Sequence, residues 1–293
     1  MASLGGDAMA LGCALAWASS VLLFRRLKDV SAPALNLFKN TIATVLLGLT
    51  MLALGLRIDT GRSLEDWLAL IGSGVLGLAV ADSLFFAGLR RIDASVAAVT
   101  DCAYSPTVLL LSALWLGEAM SGSLIAGGSL VVLGLLVVSW RSKNALVRVD
   151  GGGVLLAIAG VTLTAVGVVL AKSALDRSGL IEATTVRLVA GTTSLAIFQL
   201  ATGKWRESVV LFRPQRLWRY AIPGTLLGTY LSMILWLGGM KYGTASRAAL
   251  LNQMGAVFAL VLSRLSGEQV PPRRWIGAGI AVAGVLVVVV SRE

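Results

Sequence analysis

There is no histidine among the 293 residues of this chain, there are only two cysteines, and charged side chains make up just 14%. Without histidine there is no imidazole base titrating near neutral pH and no imidazole metal ligand. Cys13 and Cys102 both lie inside apolar runs, where a thiol reads as a small core residue and not as half of a disulfide or metal pair. The charged fraction is far below the ~25% usual in soluble domains, whereas 57% of the residues are hydrophobic. So much apolar surface cannot be hidden in one globular core, because surface falls too slowly with size. Lipid is therefore the solvent for most of the chain. No soluble stretch is long enough for a nucleotide-binding domain, and no ATP-binding loop is present, so a primary pump would need a separate subunit. No cofactor or metal is implied.

Net charge is +10, a balance that in a soluble domain suggests nucleic acid. Here the cations lie in short clusters between apolar runs, such as Arg25, Arg26 and Lys28, or Arg273 and Arg274. They read as loop charges that set membrane orientation, with no nucleic-acid partner. The opening run has no cation before it, unlike a secretory signal, and residues 8–24 read as a retained first span. Ten apolar runs reach membrane-spanning length: 8–24, 33–54, 67–88, 95–116, 124–140, 153–172, 183–203, 218–240, 245–263 and 275–290. We number them segments 1 to 10. Hydrocarbon leaves no backbone polar group unpaired, so each is expected to be a helix. The fold class is an all-α integral membrane protein with ten transmembrane helices.

The chain also repeats itself. Without a gap, Trp67 aligns with Trp218, Gly77 with Gly228, Gly88 with Gly239, Ala94-Ser95 with Ala245-Ser246, and Asp101 with Asn252. One residue of slippage later, Gly117-Glu118 aligns with Gly267-Glu268, Gly127 with Gly277, and Gly134 with Gly284. Lys39 of segment 2 corresponds to Arg187 of segment 7. Residues 1–142 and 151–293 thus form two five-helix copies. Five is odd, so the second copy enters the membrane inverted. The cation-rich loops 1–2, 3–4, 7–8 and 9–10 then share one membrane face. Such inverted repeats are the architecture of secondary transporters, whose site lies between the halves.

At "ASVAAVTDCAYSPTVLLLSALWLGE" (94–118), its weaker copy "ASRAALLNQMGAVFALVLSRLSGE" (245–268), and the cations early in segments 2 and 7, the sequence resembles the EamA-type permeases of the drug/metabolite transporter superfamily. The likeness covers about the full length. The second copy has Val257 where the first has Pro106. The resemblance implies a ten-helix carrier of small metabolites that works by alternating access around a central cavity, with both termini in the cytoplasm. The positive-inside rule instead places both termini outside. A bacterial inner (plasma) membrane location, and a monomer or homodimer, are expected.

A charge at mid-bilayer costs ~2.5–3.5 kcal/mol and marks a functional candidate. Asp82 and Asp101 stand at similar depths, ~12–15 Å below one face, and Lys39 about 9 Å below the same face. The expectation is a Lys39/Asp82/Asp101 cluster, either lining the permeation path or tying segments 2, 3 and 4 together as a strut. The second half offers Arg187, Asn252 and Gln253 instead. Acids on one side and Arg187, Asn252 and Gln253 on the other suit a zwitterion such as an amino acid. Trp17, Tyr104, Tyr230 and Trp236 are cavity-lining candidates, although aromatics in spans more often only pack. Arg247 stands close to a helix start, where it is able to face the headgroups. Trp67, Trp218 and Trp275 open their spans as interface anchors.

"GSGVLG" (72–77) formally matches a dinucleotide fingerprint, yet without a strand–helix context its glycines read as helix-packing residues. Glu118 and Glu268 end segments 4 and 9 as caps or gates. These features favour a secondary transporter, with export as the expected direction, over an intramembrane enzyme using the carboxylates, a channel or a lipid flippase.

Overall fold

The structure, a computed structural model, describes residues 4–27, 29–89, 91–92, 94–139, 150–267 and 269–291. Every element among them is helical. Segment 1 is Leu4–Phe24, segment 2 Ala32–Ala53, segment 5 Gly122–Ser139, segment 6 Gly151–Arg177, segment 7 Leu180–Ala201 and segment 10 Pro272–Val290. Nine helical runs among the described residues are long and apolar enough to cross a membrane.

Four segments depart from the uninterrupted helices that their apolar runs suggest. Segment 3 starts as an α-helix at Leu64–Gly74, widens to a π-helix over Val75–Ala81, and returns to α at Asp82–Leu89. Segment 8 does the same at Trp218–Thr225, Leu226–Leu231 and Ser232–Lys241. Pro223 lies inside the first helix of segment 8, but Gly72 is its counterpart in segment 3, so proline is not the common cause. Segment 4 is two helices, Ala94–Asp101 and Tyr104–Trp115, and segment 9 likewise is Ala245–Asn252 and Gly255–Leu265. Segment 9, though broken in the same way, is among the nine spanning runs and segment 4 is not.

Local chemistry sets the helix ends. The Ser31, Ser63 and Thr244 hydroxyls accept the N–H groups of Ala34, Asp66 and Arg247, satisfying donors that have no intrahelical partner. Segments 2, 4, 7 and 9 are followed by glycines with φ of +65° (Gly55), +66° (Gly117), +71° (Gly203) and +87° (Gly267). Only glycine enters this left-handed region without strain.

Small residues bring the bundle together. Segments 5 and 10 pack antiparallel, Gly127 against Gly284 and Gly134 against Gly277. A Cβ added at any of the four would stand 2.6 Å from the partner's carbonyl oxygen, so glycine permits this approach. Gly88 of segment 3 packs on Gly153 and Ala157 of segment 6, and Gly239 of segment 8 on Ala10 of segment 1. The Thr44 and Thr192 hydroxyls meet at 3.1 Å between segments 2 and 7. Leu52, Leu133 and Leu286 are left exposed on the outside, as lipid-facing side chains are. Gly74, within the "GSGVLG" stretch, lies against the Arg187 backbone, which makes helix packing its role.

Candidate functional site

Segments 2 and 3 bring Lys39 and Asp82 together. Asp82 is the first α-helical residue after the π stretch. Its carboxylate lies 3.7 Å from Lys39 Nζ, with side-chain exposures of 27% and 10%. Lys39 also donates to Asn40 Oδ1, and the Asn40 amide donates to Asn36 Oδ1. Asp101 does not join them: among the described residues it makes no ion pair with Lys39. The expected three-member cluster is therefore a pair. The break after Asp101 turns segment 4 at that point, and the Asp101 residue is exposed.

The two helix breaks face each other. Gln253 Nε2 donates to the Asp101 carbonyl at 3.5 Å, and the neighbouring Asn252 Oδ1 is buried without a hydrogen-bond partner. Freed backbone is tolerated at membrane depth only where protein or a polar cavity satisfies it, and this cross-break bond provides part of that satisfaction.

Arg187 in segment 7 is 2% exposed. Its Nε and Nη1 have no hydrogen-bond partner, nor do the Tyr104 hydroxyl and Trp236 Nε1. The guanidinium carbon lies 5.4 Å from the Trp236 ring centroid. The Tyr104 hydroxyl interacts electrostatically with Arg187 and lies beside the Trp236 indole, outside good hydrogen-bond geometry. Gly77 lies beside the guanidinium, where an added Cβ would meet Arg187 Nη2 at 3.6 Å, an ordinary contact distance.

The end of the bundle holding residues 4–7 and 288–290 is tied by charges. Arg247 does not face headgroups: it is buried and donates through Nε and Nη2 to both Asp7 oxygens at 2.7 Å, and through Nη1 to the Val288 carbonyl at 2.6 Å. Nothing in the sequence pairs Asp7 with a residue so far along the chain. Glu118 accepts the N–H groups of Ala245 and Ser246, capping segment 9, while Glu268 lies outside the described residues. Lys241 donates to the carbonyls of Leu175, Asp176 and Ser178, and Arg177 pairs with Asp66.

The aromatic candidates divide. Tyr104 and Trp236 border Arg187, while Tyr230 bonds the Thr50 hydroxyl at 2.7 Å. Trp17 is 45% exposed, with Gly255 beside it. Two apolar-lined grooves of about 420 and 450 Å³ lie at segments 3 and 7 and at segments 4 and 5, and neither includes Arg187 or Asp101. No group of residues able to hold a metal occurs among the described residues.

The profile of the EamA-like transporter family matches the chain over residues 4–140 and again over 151–290. An uncharacterized transporter of Archaeoglobus fulgidus is 31% identical over 133 residues, 44% of this chain and 46% of that protein. The match thus spans a little under half of that relative. A solved crystal structure with 18% sequence identity superposes with a TM-score of 0.82, over 97% of this chain and 96% of that one, a likeness that speaks for the fold alone. With the family matched along nearly all of its length and nine helical runs among the described residues able to span a bilayer, the chain is a multi-pass membrane protein that belongs to the EamA-like transporter family.

Proposed function

We propose that the chain is a secondary transporter that exports a small polar metabolite, such as an amino acid, across a bacterial inner (plasma) membrane. In this reading residues 1–142 and 151–293 are inverted copies giving ten crossings, and alternating access around a central site moves the solute. The observation that carries the reading is the meeting of the two helix breaks. They fall at aligned positions, Asp101 with Asn252, and contact each other through Gln253. Broken helices facing each other between repeats are how secondary transporters expose polar groups at mid-membrane. The reciprocal Gly127/Gly284 and Gly134/Gly277 contacts, and π stretches preceding both Asp82 and Ser232, fit a twofold relation between the halves.

The test is counterflow of labelled amino acids in sealed vesicles holding the full-length protein. Saturable counterflow is expected, lost in Asp101→Asn at normal folded yield. Non-saturating conductance would indicate a channel instead. Turnover of a lipid or peptide bond without a second compartment would indicate an enzyme.

A further inference from the structure

Within the transporter reading, and resting on it, we infer that Arg187, Tyr104 and Trp236 form the subsite that receives the carboxylate of the substrate. Five basic side chains are buried among the described residues: Lys39, Arg62, Lys172, Arg187 and Arg247. Lys39 has Asp82, Arg62 has Glu182, Lys172 has Asp176 and Arg247 has Asp7. Arg187 has no carboxylate, and two of its nitrogens have no acceptor at all.

The groups around it deepen the imbalance. The Trp236 indole N–H only donates, the Tyr104 hydroxyl has a proton to give, and neither is hydrogen-bonded. Three donors converge with the Tyr104 oxygen as the one acceptor among them, and it takes up none of the unpartnered N–H groups, in a region where an uncompensated polar group is costly. An arriving anion supplies what is missing, and charge-assisted bonds from a guanidinium are the strong kind. One cation balances one negative charge, which favours a carboxylate over a phosphate dianion. Asp101, three residues before Tyr104, is exposed and stands free of Lys39, so it is available to the cationic end of the same zwitterion.

Repeat symmetry argues the same way. The counterpart of Asp82 is Met233, so the second half does not supply its cation with an acid from the aligned position.

The experiment uses full-length protein in detergent, titrated by thermal shift with the common L-amino acids, each with its amide, and with inorganic phosphate. The amide keeps the amine and removes the negative charge. At least one amino acid is expected to bind about tenfold or more tighter than its amide, with phosphate weaker than both. Arg187→Gln should erase the difference between acid and amide. Tyr104→Phe removes one donor hydrogen and little volume, and Trp236→Phe removes the indole N–H while keeping an aromatic, though smaller, ring beside Arg187. They should weaken the acid by about 3- to 10-fold and leave the amide unchanged, and they remain readable if Arg187→Gln does not fold. The subsite is overturned if amides bind as well as acids, if phosphate binds best, if no amino acid binds, or if all three variants keep the discrimination. Counterflow separates the two claims. Acid and amide carried equally would leave a transporter without this subsite, whereas acid-selective binding without counterflow would leave the subsite without a transporter.

Discussion

Segments 2 and 7 each carry a cation as the eighth residue of a 22-residue helix, Lys39 in Ala32–Ala53 and Arg187 in Leu180–Ala201. Their surroundings are opposite. Lys39 has Asp82 across from it and Asn40 and Asn36 beside it. The aligned positions around Arg187 are Met233, Leu188 and Thr184. Leu188 is fully buried in an apolar cluster that Met233 packs against, and the Thr184 hydroxyl turns back to its own helix at the Leu180 carbonyl. One cation is answered by its own chain, while the other is left for something that comes and goes. In the proposed reading, the first cation serves structure and the second serves binding.

The comparison breaks most sharply if Arg187 is given the acid it lacks. Met233→Asp should create an internal pair and lower amino-acid affinity about 100-fold, the worth of a strong charge-assisted bond, as read by thermal-shift titration. The next largest effect is on stability. Asp82→Asn leaves Lys39 buried without a counter-charge. Breaking a fully buried pair costs ~3–5 kcal/mol. Because the Asp82 side chain is 27% exposed, the expected loss is smaller, about 2 kcal/mol, visible as a lower Tm. Arg187→Gln should move the other way. It removes an unanswered charge, so the unliganded protein should gain about 1–2 kcal/mol, part of the ~2.5–3.5 kcal/mol cost of a mid-membrane cation. If both variants lose stability alike, the two cations are equivalent struts and the contrast fails. The smallest effect concerns the proposed twofold relation. Thr44→Val and Thr192→Val each remove one side of the same hydroxyl contact and should cost similar amounts, under about 1 kcal/mol. Clearly unequal costs would argue against equivalent roles for segments 2 and 7.

Much of this was legible in the sequence, for physical reasons. Apolar runs must be helices in lipid, so segments 1, 2, 5, 6, 7 and 10 fall within a few residues of the ranges read from hydropathy. The glycine pairs of segments 5 and 10 stood out as alignment positions before their contact was visible. Pro106 has no N–H for the Cys102 carbonyl four residues back, a local cue to the first break, whereas segment 9 has Val257 there and its break at Gln253-Met254 had no such cue, because tertiary packing overrides local propensity. The π stretches are equally silent, because Val75–Ala81 is plain apolar sequence. The Lys39–Asp82 pair follows from depth, while Asp101 makes no ion pair with Lys39 among the described residues, because depth along a helix fixes height and not the side of the helix a residue faces. The Asp7–Arg247 pair links opposite ends of the chain, and no local pattern records that. The emptiness around Arg187 is a property of its neighbours, and only the folded chain assembles them.

A structure of the full-length protein with a bound amino acid tests the central claim most directly. The account predicts the carboxylate within hydrogen-bond distance of the Arg187 guanidinium, ~2.7–3.2 Å, with the Trp236 N–H or the Tyr104 hydroxyl also engaged. A bound amino acid whose carboxylate lies elsewhere, with the Arg187 nitrogens still unanswered, would contradict it.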